Sequence, residues 1–98
     1  MRGLRLSRPA HEDLARLHDE GIGQFGIHQA ERYLADLQRA LTFLSEYPLA
    51  ARERIDTDPP VRIHPFRSHV IVYRVDDRGV LVLRFRHARE NWGPSPLD

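Results

Sequence analysis

The residues best equipped for chemistry gather near the carboxy terminus, in the run Arg84-Phe85-Arg86-His87-Ala88-Arg89. A guanidinium is planar, permanently charged and forked, so it grips carboxylates and phosphates, but it cannot serve as a base at neutral pH. His87 is the one side chain of the run able to move a proton. If the run is a strand, Arg84 and Arg86 share a face with Cα atoms about 7 Å apart, a spacing suited to two carboxylates or two phosphates. Arg62 and Arg67 flank Pro65 and extend the same basic surface. Five further histidines are spread over His11, His18, His28, His64 and His69. A zinc site among them needs a convergent third ligand that nothing in the spacing supplies, so no metal is expected. Trp92, in a Gly/Pro-rich tail, either pins that tail to the sheet or offers an aromatic contact to a partner, and pinning is the favoured reading.

All 15 cationic residues of the 98-residue chain are arginines, and there is neither lysine nor cysteine. A Schiff base, a PLP anchor and a Walker phosphate loop all require a lysine amine, so those chemistries are excluded, as are thiol nucleophiles and Cys-ligated zinc. No cofactor is expected. With 14 acids the net charge is +1, too low for a generic nucleic-acid binder, although residues 51–98 hold 9 arginines against 7 acids and residues 1–50 hold 6 against 7. Missing cysteines and the lack of an apolar amino-terminal run lead us to expect a cytoplasmic protein that does not enter membranes. Length allows one domain, residues 1–98.

Period-two alternation over residues 2–7 predicts a short edge strand with Leu4 and Leu6 inward. Ser7 is placed to cap a helix with Pro9 in its first turn. Ala10, Leu14 and Leu17 form its apolar stripe, and Gly21 and Gly23 are expected to end it after about three turns. A second helix carries Ala30, Tyr33, Leu34, Leu37, Leu41 and Leu44 on one side and stops at Pro48, giving an antiparallel helical hairpin. Tyr33, Phe43 and Tyr73 read as core residues, the last needing a partner for its hydroxyl. Residues 49–60 read as a mobile connecting loop. Strands follow at 61–66, broken at Pro65, and at 70–75 and 80–85.

Register decides which faces the last two strands present. A two-residue turn would set Ile71 opposite Arg84. A three-residue loop of Asp77, Arg78 and Gly79 instead pairs Val75 with Leu81, Tyr73 with Leu83 and Ile71 with Phe85, and is preferred. Val70, Val72, Val80 and Val82 then fall on the outer face, ending in Arg74, Arg84 and Arg86. So much apolar surface calls for cover from the tail, Ala88 to Leu97, or from a partner. The expected architecture is α+β, in the order βααβββ, with the helical hairpin on one face of a mostly antiparallel sheet.

That order, together with particular residues, resembles the ParE branch of the RelE/ParE toxins, the plasmid stabilization family, over residues 4 to about 92. The markers are Leu6-Ser7-Arg8-Pro9-Ala10 with Asp13-Leu14, then Phe25-Gly26, Gln29-Ala30-Glu31-Arg32-Tyr33 and Pro48. Val61-Arg62, Ser68-His69-Val70-Ile71-Val72-Tyr73-Arg74-Val75 and Leu83-Arg84-Phe85-Arg86-His87-Ala88-Arg89-Glu90 complete them. The resemblance implies a toxin of a type II toxin–antitoxin system, neutralised by a ParD-like antitoxin whose carboxy-terminal segment wraps it. ParE-like members inhibit DNA gyrase, whereas RelE-like members cut mRNA on the ribosome. The missing lysines, and the absence of a tyrosine beyond the last strand, favour binding over cutting, so no catalytic residue is assigned. Were the chain a ribonuclease, His87 would be its base, with Arg62 and Arg84 stabilising charge. A relative that keeps the antitoxin-binding surface without toxicity is the third alternative. For target or antitoxin binding the expected residues are Arg62, Arg67, Arg74, Arg84, Arg86, Arg89 and Trp92. Direct nucleic-acid contact is expected only within a gyrase–DNA complex.

Overall fold

The computed structural model describes residues 3–89 and Leu97; Trp92 and its neighbours in the tail lie outside the described residues. Chain order is β1 (Leu4–Leu6), α1 (Arg8–Phe25), α2 (Ile27–Glu46), β2 (Glu53–Arg54), β3 (Val61–Phe66), β4 (His69–Asp76) and β5 (Gly79–His87). The five strands form one sheet in the order β1-β5-β4-β3-β2, with β1 parallel to β5 and the other pairs antiparallel. Two helices on a mixed, mostly antiparallel sheet give the α+β architecture expected, with one addition. The segment read as a loop contributes β2, a two-residue edge strand on β3. Pro65 does not break β3, because it stands opposite Val70 near the strand's end, where β2 no longer pairs and a missing N–H costs no ladder bond.

Ser7 caps α1 as expected, its hydroxyl oxygen accepting from the Ala10 amide at 3.1 Å with proline in the first turn. The helix does not stop at Gly21 or Gly23 but continues to Phe25. Gly21 is there for packing: a Cβ on it would lie 3.3 Å from the Ala30 Cβ of α2, so the glycine lets the helices approach. The chain reverses instead at Gly26, whose φ of 86° is open to glycine at little cost. This single residue ends α1 and starts α2.

The β4–β5 hairpin corrects the expected register. Its turn is the two-residue Asp77-Arg78, with Asp76 opposite Gly79, Val75 opposite Val80 and Tyr73 opposite Val82. Ile71 nevertheless faces Phe85, because a β-bulge between Val72 and Tyr73 adds Leu83 as an extra residue on β5. A bulge exchanges the faces of everything beyond it. Val80 and Val82 therefore join Ile71, Tyr73 and Phe85 in the core beneath Ala10, Leu37, Leu41 and Leu44, while Leu83 turns to the other face. That outer face holds Val61, Val70 and Val72, with Ile63, Leu83 and Leu97 packed on them. Tail cover of the outer face is thus seen at Leu97, over a different set of residues from the four valines expected.

Two of the three aromatic residues assigned to the core depart from it. Tyr73 is fully buried, and its hydroxyl donates to the Pro48 carbonyl at 2.9 Å. Burial raises its pKa, outweighing the Ala51 amide and the charge of Arg62, which act the other way. Tyr33 is half-buried and Phe43 is exposed. Among the described residues no helix is long and apolar enough to cross a membrane.

Candidate functional site

The arginines singled out in the sequence meet different fates. Arg84, opposite Val72 on β5, reaches Asp13 of α1 through Nε at 2.6 Å and Nη2 at 2.9 Å, while its Nη1 donates to the Leu97 carbonyl at 3.0 Å. Asp13 is 3% exposed and also accepts from the Phe85 amide at 3.0 Å and from Arg16. Burial pushes the Asp13 carboxyl up. The Arg84 and Phe85 hydrogen bonds, with the charges of Arg84 and Arg16, outweigh it and hold the pKa below the usual carboxylate range. Beside this pair, the Ser7 amide donates to the Val82 carbonyl and its hydroxyl to the Leu83 carbonyl, both at 2.9 Å. The start of α1 thus seals the edge of β5 beyond the reach of β1. Arg62 likewise turns inward, its Nη1 donating to the Ala51 carbonyl at 2.6 Å. Arg74 is exposed near the β4–β5 turn, where its charge helps to hold Asp76 below the usual carboxylate range after the larger effects of Arg5 and the Arg78 amide.

At the opposite end of β4 lie Arg67 in the β3–β4 turn and Arg86 and His87 at the end of β5, with Arg89 just beyond. Arg86 stands opposite Val70, and His87 opposite His69, the first residue of β4. Ring centroids of His69 and His87 are 5.3 Å apart, edge to face. Alternation from Ile71 and Phe85 places both histidines on the helix side of the sheet, where the apolar core gives way to polar groups. Tyr33 of α2 closes over them, its hydroxyl 2.6 Å from His69 Nδ1 and its ring edge-on to Phe66 at 5.2 Å. Arg67, in the β3–β4 turn with φ of 53°, lies 5.3 Å from the centroids of both Tyr33 and Phe66 and pairs with Asp36. Asp36 is held low chiefly by that Arg67 hydrogen bond. His87 Nδ1 accepts the Arg89 amide at 3.2 Å.

Between this end of the sheet and the tip of the helical hairpin opens a cleft of about 560 Å³, with Glu20, Gln24, Phe25 and Gln29 across from Tyr33, His69 and His87. A second hollow of about 370 Å³ adjoins it, sharing Phe25, Gln29, Tyr33 and Arg67 and adding His28 and Arg32. A third, apolar hollow of about 540 Å³ lies at the exit of α2, lined by Phe43, Tyr47, Pro48 and Leu49. Among the described residues no three His, Asp or Glu side chains gather as metal ligands do.

The sequence pointed to Arg67 and His87 but not to His69, Tyr33 or Phe25 as their neighbours. The signal that finds His69 is its position opposite His87 in the hairpin, which requires the bulge to be placed first.

Residues 4–92 match the family model described as the ParE toxin of the type II toxin-antitoxin system, parDE. Similar proteins include Toxin ParE1 of Mycobacterium tuberculosis, 33% identical over 85 residues, covering 86% of this chain and 87% of that one. Toxin ParE1 of Caulobacter vibrioides is 31% identical over 91 residues, covering 93% of this chain and 94% of its own. Among solved structures, the chromosomal ParDE TA system from P. aeruginosa shares the fold, with a TM-score of 0.76 at 21% identity, over 89% of this chain and 96% of that one. The chain belongs to the ParE toxin family of type II toxin–antitoxin systems.

Proposed function

We propose that this ParE-family toxin is neutralised by a cognate ParD-like antitoxin and acts by binding DNA gyrase, not by cutting RNA. The observation that carries the choice is the internal commitment of Arg62 and Arg84. Phosphodiester cleavage needs cations aimed at the charge that develops on the transferring phosphate. Of the three residues that would serve a ribonuclease, Arg84 grips buried Asp13, Arg62 holds the Ala51 carbonyl, and His87 stands apart from both at the end of β5. No lysine exists to replace them. A binding toxin needs only surface, and exposed Arg89, with Arg67 exposed beside its partner Asp36, offers one at this end of the sheet.

The antitoxin is expected to lay an apolar segment in the hollow of Phe43, Tyr47, Pro48 and Leu49, where Tyr47 and Leu49 are more than half exposed. Acids flanking that segment would meet the arginines. A partner that orders on binding suits a complex undone by proteolysis.

Supercoiling by purified gyrase, with and without the chain, tests the reading. Inhibition relieved by the antitoxin is the expected result. If supercoiling is untouched while ribosome-bound mRNA is cut, and His87→Ala abolishes the cutting, the chain is a ribonuclease. If neither activity appears and cells expressing the chain alone grow normally, it is a non-toxic relative.

A further inference from the structure

The two adjoining hollows at the tip of the helical hairpin meet at the residues they share, Phe25, Gln29, Tyr33 and Arg67. Beyond these, the larger hollow holds Glu20 of α1 and the smaller one holds Arg32 of α2. Both side chains are exposed, and neither makes an ion pair among the described residues. The shared middle carries no unpaired charge, because Arg67 is matched by Asp36. It is also where apolar surface is left in water: Phe25 is 60% exposed, and Ile27, just across Gly26, is 48% exposed. Neither belongs to a core cluster.

A centre without free charge, flanked by one unpaired acid in one hollow and one unpaired base in the other, is complementary to itself. A two-fold axis through the centre sets residue i against residue j and j against i. Each Glu20 then faces the Arg32 of the second copy, and Phe25 packs against its own counterpart in an offset or edge-to-face pair. Groups near such an axis meet themselves, which a free charge resists and a ring or an amide accepts; the Gln29 side chain both donates and accepts. A peptide of either sign satisfies one of the two charges and is repelled by the other, whereas a second copy supplies both, at matching spacing, by symmetry. We propose that this face is an interface between two copies of the chain, with Phe25 near the two-fold axis and two reciprocal Glu20–Arg32 pairs at its rim. The reading goes beyond the toxin assignment. The hollow of Phe43 and Tyr47, where the antitoxin is expected, lies about 24 Å along α2 from the hairpin tip, so the dimer leaves it open.

The test is sedimentation equilibrium of the full chain at low salt, with neither gyrase nor antitoxin present, so either reading can fail without the other. The apparent mass should rise from 11.4 kDa toward twice that value between about 1 μM and about 1 mM chain, the range of small, transient interfaces. Phe25→Ala should raise the dissociation constant roughly 30-fold, the loss expected for an aromatic at the centre of an interface. Glu20→Arg and Arg32→Glu should each raise it about tenfold or more, because each sets like charges against one another at both pairs. Mixed in equal amounts, these two variants should associate as the wild type does, since opposite charges again face each other at both pairs. Arg78→Glu, in the β4–β5 turn at the far end of the sheet, should leave association unchanged. A chain that stays monomeric at about 1 mM overturns the proposal. So does wild-type association in both charge variants, or a mixture of the two that associates no better than either alone.

Discussion

The seam between α1 and β5 and the cleft beneath the hairpin tip are built from the same residue types and end with opposite surfaces. At the seam, Asp13 receives Arg84, Arg16 and the Phe85 amide, and Ser7 takes up the neighbouring backbone of Val82 and Leu83. Charge is consumed in holding a helix to a strand edge. At the cleft, Arg67 pairs with Asp36 of α2, the Tyr33 hydroxyl meets His69 Nδ1, and the Phe25 ring is left in water. The difference is geometric. The first turns of α1 lie directly against β5, whereas beyond Ala30 the hairpin tip leaves the inner face of the sheet uncovered. An arginine's role follows from whether the carboxylate that another element brings to it is buried, as Asp13 is for Arg84, or partly exposed, as Asp36 is for Arg67, which its own sequence neighbourhood does not reveal.

The largest effect should come from breaking the seam. Asp13→Ala strands the Arg84 guanidinium and the Phe85 amide without an acceptor in a buried setting, and removing one partner of such a pair costs about 3–5 kcal/mol. That is a large share of the roughly 5–15 kcal/mol that holds a domain together, and urea denaturation should show the midpoint falling sharply. The double variant Asp13→Leu, Arg84→Met, which removes both charges, should recover much of the loss. A change below about 1 kcal/mol for Asp13→Ala would show that the seam is solvated after all.

Acid should separate the two regions next. Because the Asp13 pKa is lowered in the folded state, its contribution is complete above the unfolded value of 3.8 and is lost as pH falls through the folded value. Asp36, beside the cleft, is shifted in the same direction by Arg67, but its ion pairs with Arg67 and Arg39 are exposed to screening. Stability measured by denaturant titration from pH 5 downward should therefore fall more steeply in the wild type than in Asp13→Asn. Asp36→Asn should follow the wild-type curve closely.

Much of the fold was legible because helices and strands announce themselves locally. The capping serine, the stripe from Ala30 to Leu44, the stop at Pro48 and the strands at 61–66, 70–75 and 80–85 all followed from neighbours in the chain. What the sequence hid was set by contacts between elements. Gly21 looked like a terminator because its role depends on Ala30 approaching from α2. The hairpin register was read with a three-residue loop, whereas a two-residue turn with a bulge at Leu83 keeps Ile71 opposite Phe85 and turns Val80 and Val82 inward. The site was partly legible for the same reason. The basic run at 84–89 was plain, but its division into an Arg84 clamped on buried Asp13 and a cleft-lining His87 depends on Asp13 and Tyr33, far away in sequence.

Smaller changes probe the cleft itself. Tyr33→Phe removes the hydroxyl beside His69 Nδ1 and should cost about 0.5–1.5 kcal/mol, the net value of an ordinary hydrogen bond. Its clearer signature is a change in the His69 ring-nitrogen chemical shifts with the core spectrum preserved. The smallest effect on folding should come from Phe25→Ala. Phe25 belongs to no core cluster, and at the last position of α1 alanine is an equal or better helix former, so stability should stay within about 0.5 kcal/mol of the wild type. A cost near 3 kcal/mol, typical of a phenylalanine removed from a core, would mean that the ring packs against the protein and that the cleft is closed in solution. An unchanged midpoint leaves the Phe25 ring in water, whereas at the seam Asp13, Arg84 and the Phe85 amide are taken up by one another.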